Sequence, residues 1–249
     1  VTSRLAIVCA VLAAGGCDQL FGLDRVPPTP TCVYSQDPLD EDCDAIANDV
    51  DPCPAELKGG SADADGDGVG NACDPSGELE HRVLFDGFTD NSHPWVQNRG
   101  GWKFMGGALA NTAGDGEITI PIATTRPTAQ IFVDQITTSV DNASLTLFGG
   151  DQGARVRCSL VFHMPGNSQI LTLDVPFVGT ITAPVVGSGL LRLELGQFPD
   201  NKFRCRAHYA DDPDVEIVQP GASAVTATIV GLTASGLFAQ FDSITLVGL

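Results

Sequence analysis

The chain predicts a mainly β protein: an antiparallel β-sandwich over residues 81–249, preceded by an irregular acidic segment. Three observations carry this. From His81 onward, short runs that alternate in polarity or are rich in β-branched residues recur between turn clusters, and no stretch shows a capped, sustained helical period. Before His81, residues 37–80 hold 14 of the 31 acidic residues and a single base, Lys58. Apart from Cys9 and Cys17, six cysteines remain, an even number suited to a disulfide framework.

The elements follow in order. Arg4 precedes the apolar run 5–14, then Gly15, Gly16 and Cys17, which is the layout of a secretory signal. A bilayer takes about 20 apolar residues, so the run is too short to span one. Small residues directly before a cysteine resemble a bacterial lipobox, in which Cys17 would become the lipidated first residue of the mature chain. Ala14 stands where Leu or Val is usual, and an ordinary signal peptide is the alternative. Residues 18–36, with Pro27, Pro28 and Pro30, read as a semi-rigid linker. The expectation is an exported protein, lipid-anchored to the cell envelope and either periplasmic or surface-exposed.

Residues 37–80 contain one acidic pattern twice. Residues 40–51 and 63–74 each place Asp at positions 1, 3 and 5, Asn at 9 and Asp at 12. That is the oxygen-ligand spacing of a calcium loop: carboxylates at 1, 3 and 5, a backbone carbonyl at 7, and ligands at 9 and 12. The first set is Asp40, Asp42, Asp44, the carbonyl of Ile46, Asn48 and Asp51. The second is Asp63, Asp65, Asp67, the carbonyl of Val69, Asn71 and Asp74. Gly68 occupies the sharp turn at position 6 of the second loop, where the first has Ala45, so the first is expected to bind Ca2+ more weakly. Without metal, so much like charge and so few aromatics favour disorder.

This segment resembles the thrombospondin type 3 repeat, through Asp51-Pro52-Cys53-Pro54 and the run from Asp65 to Asp74. In that family calcium replaces a hydrophobic core and cysteines cross-link successive repeats, which implies a Cys53–Cys73 bridge. Six cysteines allow 15 pairings. Proximity and this likeness favour Cys32–Cys43, Cys53–Cys73 and, across two strands of the larger domain, Cys158–Cys205. No C-x-x-C pair occurs, which argues against zinc and thioredoxin-like chemistry.

In the larger domain, strands are expected at 82–85, 117–122, 129–138, 144–148, 154–162, 169–175, 190–195, 202–208, 215–218, 224–230 and 238–247. Turn signals such as Gly149-Gly150-Asp151, Pro199-Asp200-Asn201 and Pro220-Gly221 separate them. The opening, from Val83 to Phe88 with Trp95, Gly100-Gly101-Trp102 and Gly106-Gly107, is similar to that of concanavalin A-like, laminin G-like jelly rolls. The ending, from Gly236 to Leu246, resembles their closing strand, in which a Phe-Asp pair returns beside the first strand. The likeness implies a jelly roll over 81–249.

Four chemical motifs are absent. There is no E-x-D-x-x-E strand to set two carboxylates about 5 Å apart for retaining glycoside hydrolysis, and no G-x-S-x-G, H-E-x-x-H or phosphate loop. His81, His93, His163 and His208 are isolated in sequence. Asp211 to Asp214 reads as a solvated turn, with a third calcium site as the alternative. Trp95 and Trp102 read as core residues, with sugar stacking as the alternative. A net charge of -18 argues against nucleic acid. The expected function is non-enzymatic: a sandwich that binds a glycan or another envelope component. The alternatives are a glycoside-active enzyme with an unrecognised site and a structural spacer.

Overall fold

The computed structural model describes residues 39–56, 62–74, 80–89, 91–138, 140–151, 153–164, 168–210, 212–221 and 223–249, which belong to one compact unit. The expected signal, Cys17, the linker to residue 36 and Cys32 lie outside them. No helix among the described residues is long and apolar enough to cross a membrane.

Fifteen strands form among the described residues. They are β1 (His81–Asp86), β2 (Val96–Arg99), β3 (Trp102–Phe104), β4 (Leu109–Asn111), β5 (Gly116–Thr125), β6 (Thr128–Thr138), β7 (Ala143–Gly150), β8 (Arg155–His163), β9 (Ser168–Val175), β10 (Gly179–Val185), β11 (Leu191–Gln197), β12 (Lys202–Tyr209), β13 (Val215–Pro220), β14 (Thr226–Ser235) and β15 (Leu237–Gly248). One sheet runs β13-β12-β11-β6-β15-β4-β3, with β1 also on β15; the other runs β10-β9-β8-β7-β14-β5-β2. Every pairing is antiparallel. The closing strand does lie beside the first, with Asp86 opposite Ile244 and His81 opposite Gly248.

Alternation explains the layering. In β11, Leu191, Leu193 and Leu195 face the core while Arg192 and Glu194 point away. Ile131 and Val133 of β6 and Ile244 and Leu246 of β15 join them, and Leu145, Leu147, Leu160, Leu171 and Leu173 meet them from the second sheet. Each such side chain contributes on the order of 1.5–3 kcal/mol by leaving water. The Cys158–Cys205 disulfide crosses this interior from β8 to β12, and both cysteines are fully buried.

Two expectations about strands are corrected. The strand expected to end at residue 230 continues to Ser235, because Gly231 does not break it: a side chain there would meet the Phe148 ring 2.5 Å from its first carbon, so the glycine admits the aromatic. Strands β2, β3, β4 and β10 were not expected. β2 is wholly exposed and carries no apolar stripe to reveal it, while β10 alternates Ile181, Ala183 and Val185 toward the core but is interrupted by Pro184.

Candidate metal loops and a cleft between the sheets

The two acidic loops share one backbone trace. Positions 4 and 6 have positive φ in both: Cys43 (64°) and Ala45 (74°) in the first, Gly66 (79°) and Gly68 (89°) in the second. The position-6 amide donates to the Asp at position 1, Ala45 to Asp40 at 3.1 Å and Gly68 to Asp63 at 2.9 Å. At position 7, Ile46 donates to Asp44 at 2.8 Å and Val69 to Asp67 at 2.7 Å. The position-9 side chains accept from position 2, Asn48 from Glu41 at 2.9 Å and Asn71 from Ala64 at 3.0 Å. These asparagines therefore close their loops through the amide oxygen.

The effect is to turn carboxylates inward. One oxygen from each of Asp40, Asp42 and Asp44 lies within 4.8 Å of the others, and the same is true of Asp63, Asp65 and Asp67. Oxygens bonded to one calcium-sized ion at about 2.4 Å stand at most about 5 Å apart, so the spacing fits. Asp42 Oδ2 and Asp51 Oδ2 in the first loop and Asp67 Oδ2 in the second are buried and accept no hydrogen bond among the described residues. A buried anionic oxygen without a donor is costly, and a hard cation would supply what is missing. Burial, with added repulsion from Asp44, Asp51 and Asp40, pushes the Asp42 carboxyl up to about 6. Burial likewise raises Asp51, which feels Asp44 and Asp40, and Asp67, which feels Asp65, Asp74 and Asp63. Asp63 moves the other way, because the Gly68 and Gly66 amides point at it. The carboxylates brought together are those at positions 1, 3 and 5; Asp51 and Asp74, at position 12, are not among them.

The acidic segment is docked on the outer face of the eight-stranded sheet. Arg82 of β1 donates to the carbonyls of Asp51 and Asn48, Gln130 of β6 donates to the Cys73 carbonyl at 3.3 Å, and Arg192 of β11 pairs with Glu56. Cys53 and Cys73 form the expected disulfide, and with Val69 they pack on Val247 of β15. Cys43 is also disulfide-bonded, while the expected partner Cys32 is outside the described residues. Buried Glu41 lies against Gly87, where any side chain would collide with its carboxylate. None of these sandwich residues had a local sequence signal for this role.

The remaining candidates serve structure. Trp102 is buried against Phe241, and the Trp95 indole donates to Asp86 Oδ2 at 2.7 Å. Asp86 also accepts from the Phe88 amide and pairs with His93 at 3.1 Å. His163 faces Asp141 and His208 faces Asp214 on the surface, so the histidines do not cluster. Asp214 is held by His208 and Arg206, as a turn carboxylate would be.

At the far end of β6 the two sheets part around an open cleft of about 570 Å³. It is lined by residues 134–138 of β6, the ends of β8 and β12, the start of β9 and the loop 187–189. Phe162 and Tyr209 form much of its floor. The Tyr209 hydroxyl donates to Gln169 Oε1 at 2.6 Å, and Gln169 Nε2 donates to the Gly187 carbonyl at 3.1 Å. Sequence reasoning missed this cleft, because five separate segments build it.

No family model matches the chain, and no curated protein is significantly similar to it. Its fold does match solved structures. It is similar to the CBM2 module of the evolved Dit of Lactobacillus casei BL23 phage J-1, with a TM-score of 0.57 at 10% identity, covering 68% of this chain and 95% of that one. It is similar to the Crh5 transglycosylase, with a TM-score of 0.52 at 9% identity over 66% of this chain and 83% of that one. It is similar to the GH43 protein BlXynB of Bacillus licheniformis, with a TM-score of 0.50 at 15% identity over 66% of this chain but only 39% of that one. The sandwich is thus a jelly roll of the concanavalin A-like kind, as expected. The expectation of a non-enzyme is corrected: a transglycosylase and a GH43 protein share this fold, and the missing E-x-D-x-x-E strand excluded only one route to glycoside chemistry.

Proposed function

We propose that this chain is an exported, lipid-anchored cell-envelope protein whose sandwich is directed at carbohydrate and whose acidic segment is braced by two calcium ions. The observation that carries the carbohydrate reading is the sandwich itself, which overlays on a carbohydrate-binding module over nearly all of that module and opens a polar cleft at one end. Clefts of about 300–1,000 Å³ are the usual size of small-molecule sites. Glycan binding is the first reading; glycoside activity is the second, supported by the overlays on a transglycosylase and a GH43 protein. Calcium would be held by Asp40, Asp42, Asp44 and Asp51 in one loop and by Asp63, Asp65, Asp67 and Asp74 in the other, with the Ile46 and Val69 carbonyls completing the sets and Asn48 and Asn71 contributing through water. The ions would neutralise clustered carboxylates, making metal binding and ordering of the segment one event. Lipidation of Cys17 would fix the protein to its membrane.

The test is to incubate the full chain with insoluble cellulose, chitin and xylan in calcium buffer, and with soluble glucan and xylan while following new reducing ends. Retention on a matrix supports binding, and release of reducing ends supports the second reading. Neither would remove carbohydrate from the account.

A further inference from the structure

We infer that the cleft at the end of the sandwich is a binding site for a neutral sugar residue, gripped by Asp134 and Gln135 on one rim and Ser188 on the other. This rests on the carbohydrate reading and places it on particular residues. Asp134, Gln135, Thr137 and Ser188 are exposed at the cleft, and their side chains make no hydrogen bond or ion pair among the described residues. A free carboxylate, a carboxamide and two hydroxyls set around one concavity are what adjacent sugar hydroxyls need, since each sugar hydroxyl both donates and accepts.

The floor supplies the other half of the chemistry. Half-buried Ile136 and Met164 line the cleft beneath that rim, with the buried Phe162 and Tyr209 rings behind them, an apolar patch for the C–H face of a pyranose. The floor is rigid. Tyr209, Gln169 and Gly187 form one hydrogen-bonded chain, and a side chain at position 187 would stand 2.1 Å from the Tyr209 ring. Burial raises the Tyr209 phenol to about 12, so it stays a neutral donor.

Charge selects among sugars. Among the described residues, no Lys, Arg or His lines the cleft, and Asp134 is the one acidic side chain there. Uronates, sialic acids and phosphorylated sugars would meet a carboxylate with no compensating cation, so the site takes neutral residues.

The experiment is calorimetric titration of the full chain with soluble oligosaccharides of glucose, xylose, mannose and N-acetylglucosamine, with oligogalacturonate as the anionic comparison. The double variant Asp134→Ala, Gln135→Ala should weaken binding of a neutral oligosaccharide at least tenfold without changing the melting temperature. Thr137→Ala with Ser188→Ala should weaken it to a smaller extent, and it serves as the second probe if the first variant folds poorly. Binding by the wild type that both variants leave unchanged would overturn the cleft assignment and leave the carbohydrate reading standing. Tighter binding of oligogalacturonate would overturn the neutral-sugar assignment. No binding of any oligosaccharide by the wild type would overturn the site and count against the carbohydrate reading together with it.

Discussion

Arg82 Nη1 donates to the Asp51 carbonyl at 2.5 Å, joining the first strand of the sandwich to the twelfth residue of the first acidic loop. The same guanidinium reaches the carbonyls of Asn48 at 2.9 Å and Asp49 at 3.3 Å. One side chain therefore holds the last turn of the loop, the turn that presents Asp51 to the other carboxylates. The segment is positioned from outside by the sheet as well as from inside by its own hydrogen bonds.

Arg82→Ala should therefore act on one loop. Hydrogen bonds to a charged donor contribute about 1.5–3 kcal/mol each, and the three carbonyls share one donor group, so a loss of roughly 2–3 kcal/mol of stability is expected in denaturant unfolding. Calcium affinity should fall at the first loop and stay unchanged at the second. Equal loss at both would show that Arg82 supports the segment as a whole rather than the Asp51 turn.

The first loop should compete with protons near pH 6. Asp42 is raised to about 6, first by burial and then by its acidic neighbours. In the metal-free chain the stability from its protonation is complete below 3.8 and is lost as pH rises through about 6. Calcium needs the ionised form, so the sign reverses: affinity should weaken as pH falls through 6, and binding at pH 6 should release protons. Calorimetry in two buffers of different ionisation heat reads that release directly. The same heat in both buffers at pH 6 would contradict the assignment of Asp42 as a ligand.

Reducing the Cys158–Cys205 bridge should cost about 4 kcal/mol, since it closes a loop of 47 residues between the two sheets. The sulfurs are buried in the core, so reduction should be slow until the sandwich opens. Unfolding in guanidinium with and without reductant gives the difference. A midpoint unmoved by reduction would mean that core packing alone holds the sheets together.

The local patterns were legible and the long-range ones were not. Leu191-Arg192-Leu193-Glu194-Leu195 announces its strand and its inward face, because one period of alternation decides both. The shared backbone trace of the two acidic loops was legible, since the repeated Asp at position 1 and Asn at position 9 accept amides of their own loop. Ala45 was read as a departure, yet it adopts the same left-handed backbone as Gly68, at a cost of roughly 1–2 kcal/mol that the loop must offset. What stayed hidden is what separate segments build together. Arg82 lies 31 residues from Asp51, and nothing near it in sequence marks it as the anchor of a loop. The cleft joins Asp134, Phe162, Gln169, Ser188 and Tyr209, each unremarkable among its own neighbours. β10 was hidden for a different reason: Pro184 interrupts its Ile181, Ala183, Val185 alternation, which an edge strand tolerates.

The most direct test is a calcium titration of the full chain by calorimetry, repeated with Asp42→Asn and with Asp67→Asn. The account predicts two bound ions, one lost in each variant, and a melting temperature that rises on saturation. A single ion, or none, with a melting temperature indifferent to calcium, would contradict it and reduce the acidic segment to one held on the sheet by contacts such as those of Arg82, Gln130, Arg192 and Val247.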